Sequence, residues 1–74
     1  MAIYGNLGGN SNVSSYDNRD SSISVTFGDG STYVYTYASA GAGHVEHMKS
    51  LAIAGRGLNS YINIHVKHLY ASKS

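Results

Sequence analysis

The chain has 74 residues, no cysteine and a formal net charge of +1. This length suits one domain and not two, and the lack of cysteine excludes a disulfide framework. No apolar run approaches the roughly 20 residues that cross a bilayer, and the N-terminus lacks the features of a signal peptide. We therefore expect one soluble, cytoplasmic domain with no membrane partner, and its small core makes a homo-oligomer a further expectation.

Charge is distributed unevenly between the two parts of the chain. Residues 1–46 hold four acidic side chains against one arginine, whereas residues 47–74 hold four basic side chains and no acid. Such asymmetry is typical of a protein whose basic half meets an anionic partner. It also fits ordinary attraction between an acidic sheet and basic helices. We prefer the second interpretation, because four basic side chains are few for a nucleic-acid binder.

The N-terminal half of the sequence predicts strands. Residues 1–12 are rich in glycine, asparagine and serine, and we expect a flexible lead there. Residues 13–16 form a short candidate strand, followed by a turn whose Asp and Asn side chains can bond to their own backbone. Residues 22–27 and 32–37 each alternate with the period of two of a half-buried strand. A loop with two glycines separates them, so the pair predicts a β-hairpin.

The C-terminal half predicts helices. Residues 38–43 read as a flexible connection, and residues 44–54 then place their apolar side chains at helical spacing up to Gly55, which suits a helix end. After a Gly-Arg-Gly hinge, residues 58–69 fit a second helix. The alternation of Ile62, Ile64 and Val66 also fits a strand, and we choose the helix. The last residues, 71–74, are predicted to fray.

These elements predict an α+β fold, a three-stranded antiparallel sheet with two helices packed on one face. The residues expected to meet in its core are Ile23, Val25, Phe27, Val45, Met48, Leu51, Leu58, Ile62 and Val66.

Several short motifs follow one another along residues 11–62. They are Ser11-Asn12-Val13 before Tyr16-Asp17, the alternating Ile23, Val25 and Phe27, Gly30 in the turn, Tyr33-Val34-Tyr35, and Gly55-Arg56-Gly57-Leu58-Asn59 with Ile62. In this order they resemble the KTSC family, named for a domain at the C-terminus of some lysyl-tRNA synthetases and also found as small stand-alone proteins of bacteria and phages. The resemblance implies a single KTSC-like domain over residues 13–70 and a role associated with RNA.

Three tyrosines share one face of the second hairpin strand, Tyr33, Tyr35 and Tyr37. Aromatic faces on a sheet can stack with unpaired bases. Tyrosine is also a common core residue in small domains, with its hydroxyl at the rim. We prefer the core interpretation and expect Tyr37, at the strand end, to be the most exposed of the three.

Basic residues near the Gly-Arg-Gly hinge are candidates for partner contacts. Arg56 is either a phosphate contact on a mobile backbone or a solvated hinge residue, and Lys49 and Lys67 are its candidate companions. Asn59 enters this set through the family resemblance alone.

Histidines occur as two HVxH quartets, residues 44–47 and 65–68. We expect no metal site there, because helical zinc pairs more often use i, i+4 spacing. The acidic residues occupy turns and form no recognisable catalytic set, so we expect neither an enzyme nor a cofactor. Two functions remain: a binding module for RNA or single-stranded DNA, and a phage-borne or bacterial accessory protein that binds and inhibits or otherwise modulates a host protein or defence complex.

Overall fold

The computed structural model describes residues 2–5 and 12–74. In that part of the chain, one antiparallel sheet has the strand order of the sequence. Its strands are β1 (Ala2–Ile3), β2 (Val13–Asn18), β3 (Ser22–Phe27), β4 (Thr32–Thr36) and β5 (Ser72–Lys73). The helices are α1 (Tyr37–Ala40), α2 (Ala42–Ala54) and α3 (Leu58–Tyr61), and α3 continues as one π-helical turn, Ile62–Val66.

The α+β class with an antiparallel sheet and helices is confirmed. The predicted number of elements is only roughly right, because two-residue strands extend both edges of the three predicted strands. The predicted hairpin is present as β3 and β4. Its turn brings Gly30 to a φ of 91°, a left-handed conformation that glycine adopts without steric cost.

Both chain ends differ from the prediction. Residues 71–74 are not frayed: Ala71 N–H donates to the Val34 carbonyl at 2.6 Å, and Ser74 and Thr32 exchange backbone bonds of 2.8 and 3.1 Å. The unpaired edge of β4 explains this pairing, since backbone donors and acceptors require partners. In the predicted flexible lead, β1 pairs with β2 and Tyr4 is buried. Residue 1 and residues 6–11 of that lead lie outside the described residues.

The predicted flexible connection at residues 38–43 is also wrong, because it includes the short helix α1. Thr36 caps that helix: its side chain accepts from Ser39 N–H at 3.0 Å, and the Ser39 hydroxyl accepts from Thr36 N–H at 3.0 Å. This reciprocal pair satisfies backbone donors that the first turn would otherwise leave free. As a result, Tyr37 begins a helix and does not lie on the strand.

The second predicted helix is confirmed over its competitor, the strand. Leu58, Ile62 and Val66 are all buried, whereas Ile64 is 74 % exposed. Spacing of four residues matches one face of a helix, while a strand would have placed Ile64 on the same side as Ile62. The helical part ends at Val66, three residues before the predicted end.

The core lies between the helices and one face of the sheet. Most residues predicted for it are buried, but Phe27 and Leu51 are only partly buried. The core also contains Tyr35, as the preferred interpretation of the tyrosine stripe predicted. Four further core residues were not predicted, namely Tyr4, Val13, Ala40 and Ala52.

Candidate functional site

A solvent-open groove of about 370 Å³ lies between β4 and the face of α3 with its π-helical turn. We call it the aromatic groove. Its size is typical of pockets for small ligands. Four aromatic rings line one side, from Phe27, Tyr33, Tyr35 and Tyr70. Three amides and two basic side chains also line it, from Asn12, Asn59, Asn63, Lys67 and His68.

Strand register positions the aromatic side. Val25 of β3 lies opposite Tyr33, and Ile23 lies opposite Tyr35. Directly opposed residues in an antiparallel pair share a face, and Ile23 and Val25 are both fully buried. The rings of Tyr33 and Tyr35 therefore lie on the helix-covered face of the sheet.

Tyr33 is the centre of the ring contacts. Its ring centroid lies 5.4 Å from Phe27 and 5.0 Å from Tyr70, both in T-shaped geometry. The Tyr35 ring is nearly parallel to it at 6.5 Å. Such edge-to-face contacts stabilise aromatic clusters beyond the area they bury, so the rings form a fixed wall.

Tyr35 belongs to the core and not to the open part of the groove. Its exposed fraction is 1 %. Burial, followed by the neighbouring Tyr33 and Tyr70, raises the pKa of Tyr35 to about 12. The core interpretation of the tyrosine stripe therefore holds for Tyr35, while Tyr33 is half-buried and Tyr37 is 38 % exposed.

The helix side of the groove carries side chains four residues apart, Asn59, Asn63 and Lys67. This spacing places them in one row along α3 and its π-helical turn. Within the described part of the chain, neither amide makes a side-chain hydrogen bond, and Lys67 makes no ion pair. An amide offers two donors and one acceptor, so this row presents hydrogen-bonding groups to a ligand.

Lys73 adds a second cation on the sheet side. It pairs with Tyr33 in the β4–β5 register, and its Nζ lies 5.3 Å from the Tyr33 ring centroid. A hydrogen bond with the Tyr33 hydroxyl is the main cause that raises the pKa of Lys73. Lys73 therefore stays charged at neutral pH, beside the open rings.

Asp29 is the acidic residue of the groove. Its carboxylate accepts a hydrogen bond from Ser31 N–H at 2.9 Å, and bonding to Ser31 is the main cause that lowers the pKa of Asp29. The groove and its rim thus hold two lysines, Lys67 and Lys73, and one carboxylate, so this region has an excess of positive charge.

The structure brings together four of the seven predicted site residues, namely Tyr33, Tyr35, Asn59 and Lys67. Tyr37 and Lys49 lie elsewhere. The Tyr37 hydroxyl donates to Glu46 at 2.5 Å, and Lys49 Nζ lies 2.9 Å from the same carboxylate. Lys49 also donates to the Asp20 carbonyl at 3.2 Å. These contacts join α2 to α1 and to the turn between β2 and β3, and they already engage the Lys49 ammonium group.

Arg56 does not line the groove either. Gly55 and Gly57, on its two sides, have φ angles of 78° and 80°. Gly55 N–H donates to the carbonyls of Leu51 and Ala52, which ends α2 as predicted. The exposed Arg56 side chain matches the solvated-hinge interpretation.

Sequence reasoning did not assign site roles to Asn12, Asn63, His68, Tyr70 or Lys73. Lys73 was missed because residues 71–74 were predicted to fray, and Tyr70 because it directly precedes that segment. The signal that points to them is the open edge of β4, which a following segment can pair with. The amides carry no local pattern that marks a groove, since asparagine is common in surface turns and helix ends.

Three of the four histidines in the two quartets lie around one tyrosine, and the fourth lies elsewhere. His44, His47 and His65 surround Tyr61: His44 Nδ1 lies 2.6 Å from the Tyr61 hydroxyl, and both other rings lie 4.5 Å from the Tyr61 ring. His68 lines the groove instead. In residues 2–5 and 12–74, no group of three or more His, Cys, Asp or Glu side chains is arranged to hold a metal ion.

Comparison of the chain with protein-family models, with curated proteins and with solved structures found no match. Among the described residues, no helix is long and apolar enough to cross a membrane.

Proposed function

We propose that this chain is a small, non-enzymatic, KTSC-like binding module that holds an unpaired base of RNA or single-stranded DNA in the aromatic groove. The observation that carries the proposal is the convergence of aromatic rings, uncommitted amides and Lys67 on one cavity, with Lys73 at its rim over the Tyr33 ring. Each of these groups matches a different part of a nucleotide.

The rings match the base. Stacking of a base on an aromatic side chain contributes about 1–3 kcal/mol and is tolerant of sequence. Phe27 and Tyr33 are half-buried and Tyr70 is 37 % exposed, so the wall is held in place and is most accessible at Tyr70. A flat ring is a better fit to this wall than a flexible aliphatic chain, because it contacts the aromatic surface over its whole face.

The amides and lysines match the remaining groups. Asn59 and Asn63 offer donors and acceptors to base edges, which carry both kinds of group. Lys67 and Lys73 supply charge for phosphates. With two lysines, we expect weak binding, in the range of about 10⁻⁶ to 10⁻⁴ M that is typical of electrostatic, non-specific association.

Fluorescence anisotropy with labelled oligouridylate and oligothymidylate of about eight nucleotides tests this function. Affinity should fall between about 50 and 200 mM salt, with a slope of about −0.7 per phosphate contact. Lys67→Gln should reduce that slope, whereas Arg56→Gln, which removes an exposed charge outside the groove, should not. No binding at low salt, or binding that ignores salt, refutes the proposal.

A second candidate is a protein-interaction module, such as a phage-borne or bacterial accessory protein that inhibits or otherwise modulates a host protein or defence complex. The observation that favours it is the exposure of two large apolar residues, Ile53 at 72 % and Ile64 at 74 %. Removal of apolar surface from water drives most protein association. The same exposed side chains would serve self-association of the chain.

Light scattering and affinity capture from host lysate test this second candidate. Ile53→Ser and Ile64→Ser should abolish capture of a stoichiometric partner, or dissociate a homo-oligomer, while leaving oligonucleotide binding unchanged. Wild-type protein that is monomeric and captures no stoichiometric partner rules the candidate out.

A further inference from the structure

The C-terminal segment, residues 68–74, contributes three side chains to the aromatic groove or to its rim. His68 and Tyr70 line the groove, and Lys73 lies over the Tyr33 ring. We call this segment the C-terminal strap. It pairs with the open edge of β4 through β5. Without it, that side of the groove would end at Tyr33 and Tyr35.

Tyr70 is the most accessible of the four groove rings. It is 37 % exposed, whereas Tyr35 is 1 % exposed and Phe27 and Tyr33 are intermediate. Its ring contacts Tyr33 at 5.0 Å and Tyr35 at 6.5 Å, both T-shaped. These contacts orient the Tyr70 ring without burying it, which is the requirement for a stacking residue.

The strap is attached mainly through its backbone. Besides the pairing of β5 with β4, backbone hydrogen bonds link it to β4 from Ala71 N–H to the Val34 carbonyl and in both directions between Ser74 and Thr32. All of its side chains are exposed. A segment with few buried apolar contacts opens at low free-energy cost. A ligand that contacts Tyr70 and Lys73 should therefore hold the strap more firmly on β4.

We infer that the C-terminal strap is part of the nucleic-acid site, with the bound base stacked on Tyr70 and a neighbouring phosphate on Lys73. This inference rests on the proposed nucleic-acid function. It assigns recognition to the strap and not to the tyrosine stripe of β4, because Tyr35 is inaccessible and Tyr33 is covered by Lys73.

Oligothymidylate and oligouridylate binding by four variants tests the inference. Tyr70→Ala should weaken binding by about five- to 150-fold, as expected for the loss of one stacked base. Tyr70→Phe keeps the ring and should bind within about twofold of wild type. Lys73→Gln should reduce the salt slope by about 0.7, and Arg56→Gln, the charge-matched control, should leave it unchanged.

The outcomes separate the strap from the function. If wild type binds and Tyr70→Ala binds equally well, the strap inference is overturned while the proposed function stands. If Tyr70→Phe loses as much affinity as Tyr70→Ala, stacking is not the role of Tyr70 and the inference is likewise overturned. If wild type binds neither oligonucleotide at low salt, the function fails and the strap inference fails with it.

Hydrogen exchange keeps the test decisive if Tyr70→Ala does not fold. In wild type, oligothymidylate should slow exchange of the Ala71 and Ser74 amides, which hold the strap on β4. The Tyr4 and Arg19 amides, which bond to carbonyls of residues outside the groove, serve as internal references. Binding without added protection of Ala71 and Ser74 overturns the inference.

Discussion

The backbone N–H of Leu58 donates a buried hydrogen bond of 3.3 Å to the hydroxyl oxygen of Tyr4. Leu58 is the first residue of α3, and the first N–H groups of a helix have no partner inside the helix. Tyr4, itself 4 % exposed, supplies that partner from the other end of the chain. The N-terminal segment thereby helps to hold the helix that forms one side of the aromatic groove.

Replacement of Tyr4 by Phe should lower the free energy of unfolding by about 1–3 kcal/mol. The ring is retained, but the Leu58 N–H loses its acceptor in a buried position. Urea unfolding followed by circular dichroism measures the change. Tyr16→Phe is the matched control, since Tyr16 is a half-buried tyrosine of the same sheet. An unchanged midpoint in Tyr4→Phe would show that the hydroxyl contributes nothing.

Asn18 offers a stabilising substitution. Its Oδ1 is buried and has no hydrogen-bond partner within the described residues, and Asn18 lies opposite the fully buried Ile23. Asn18→Val removes the unpaired oxygen and adds a β-branched residue to a strand. We expect the free energy of unfolding to rise by about 1 kcal/mol. Asn18→Asp should lower it, because a charge then replaces the amide. Loss of stability in the valine variant contradicts this account.

Local patterns in the sequence predicted most of the central fold. Alternation identified β3, and the glycine turn identified the hairpin, because backbone conformation in these segments follows from a few neighbouring residues. The segment after Leu58 fitted both a helix and a strand, and the helix was chosen with the support of the family resemblance. The structure confirms it through the exposure of Ile64, at 74 %.

Long-range contacts were beyond the reach of such patterns. The pairing of β5 with β4 depends on which segment reaches an open edge, and the polar sequence of residues 71–74 does not indicate it. The same applies to Tyr4, whose partner is more than fifty residues away in the chain. Phe27 fits the alternating pattern of the core but lies at the end of β3, where the groove leaves it half-buried. Part of the groove was therefore missed, because residues 71–74 at the end of its strap were predicted to fray.

The Tyr37–Glu46 hydrogen bond should make the free energy of unfolding depend on pH in both the acidic and the alkaline range. The bond lowers the pKa of Glu46 from 4.5, with Lys49 as a further cause, and raises the pKa of Tyr37 from 10.0. Glu46 must be ionised, so its contribution is present above pH 4.5 and is lost as pH falls through the lowered pKa. Tyr37 must be protonated, so its contribution is present below pH 10.0 and is lost as pH rises through the raised pKa.

Thermal melting of wild type and Tyr37→Phe across pH measures this bond. Wild type should melt at a higher temperature than Tyr37→Phe. This difference should be constant between the two transitions and should decrease in acid and in alkali. Glu46→Gln is the companion variant, because it removes the carboxylate that shifts both pKa values, so both transitions should shrink. A difference between wild type and Tyr37→Phe that is the same at every pH would mean that the ionised pair is not the cause.

Tyr35 should make the fold sensitive to alkali by a separate route. Its pKa is raised to about 12 chiefly by burial, whereas the ordinary value is 10.0. Between these values the unfolded chain releases the phenolic proton and the folded chain retains it. The stability that Tyr35 contributes is thus fully present below pH 10.0 and is lost as pH rises toward about 12.

Tyr35→Phe tests this linkage, because phenylalanine cannot ionise. Between pH 10.0 and about 12, wild type should lose about 2–3 kcal/mol more unfolding free energy than the variant, from 1.36 kcal/mol per pKa unit. Urea unfolding at several alkaline pH values gives the two curves. Tyr33→Phe is the control on the same strand, with a ring that is only half-buried. If Tyr33→Phe removes the alkaline loss as fully as Tyr35→Phe, burial of Tyr35 is not its source.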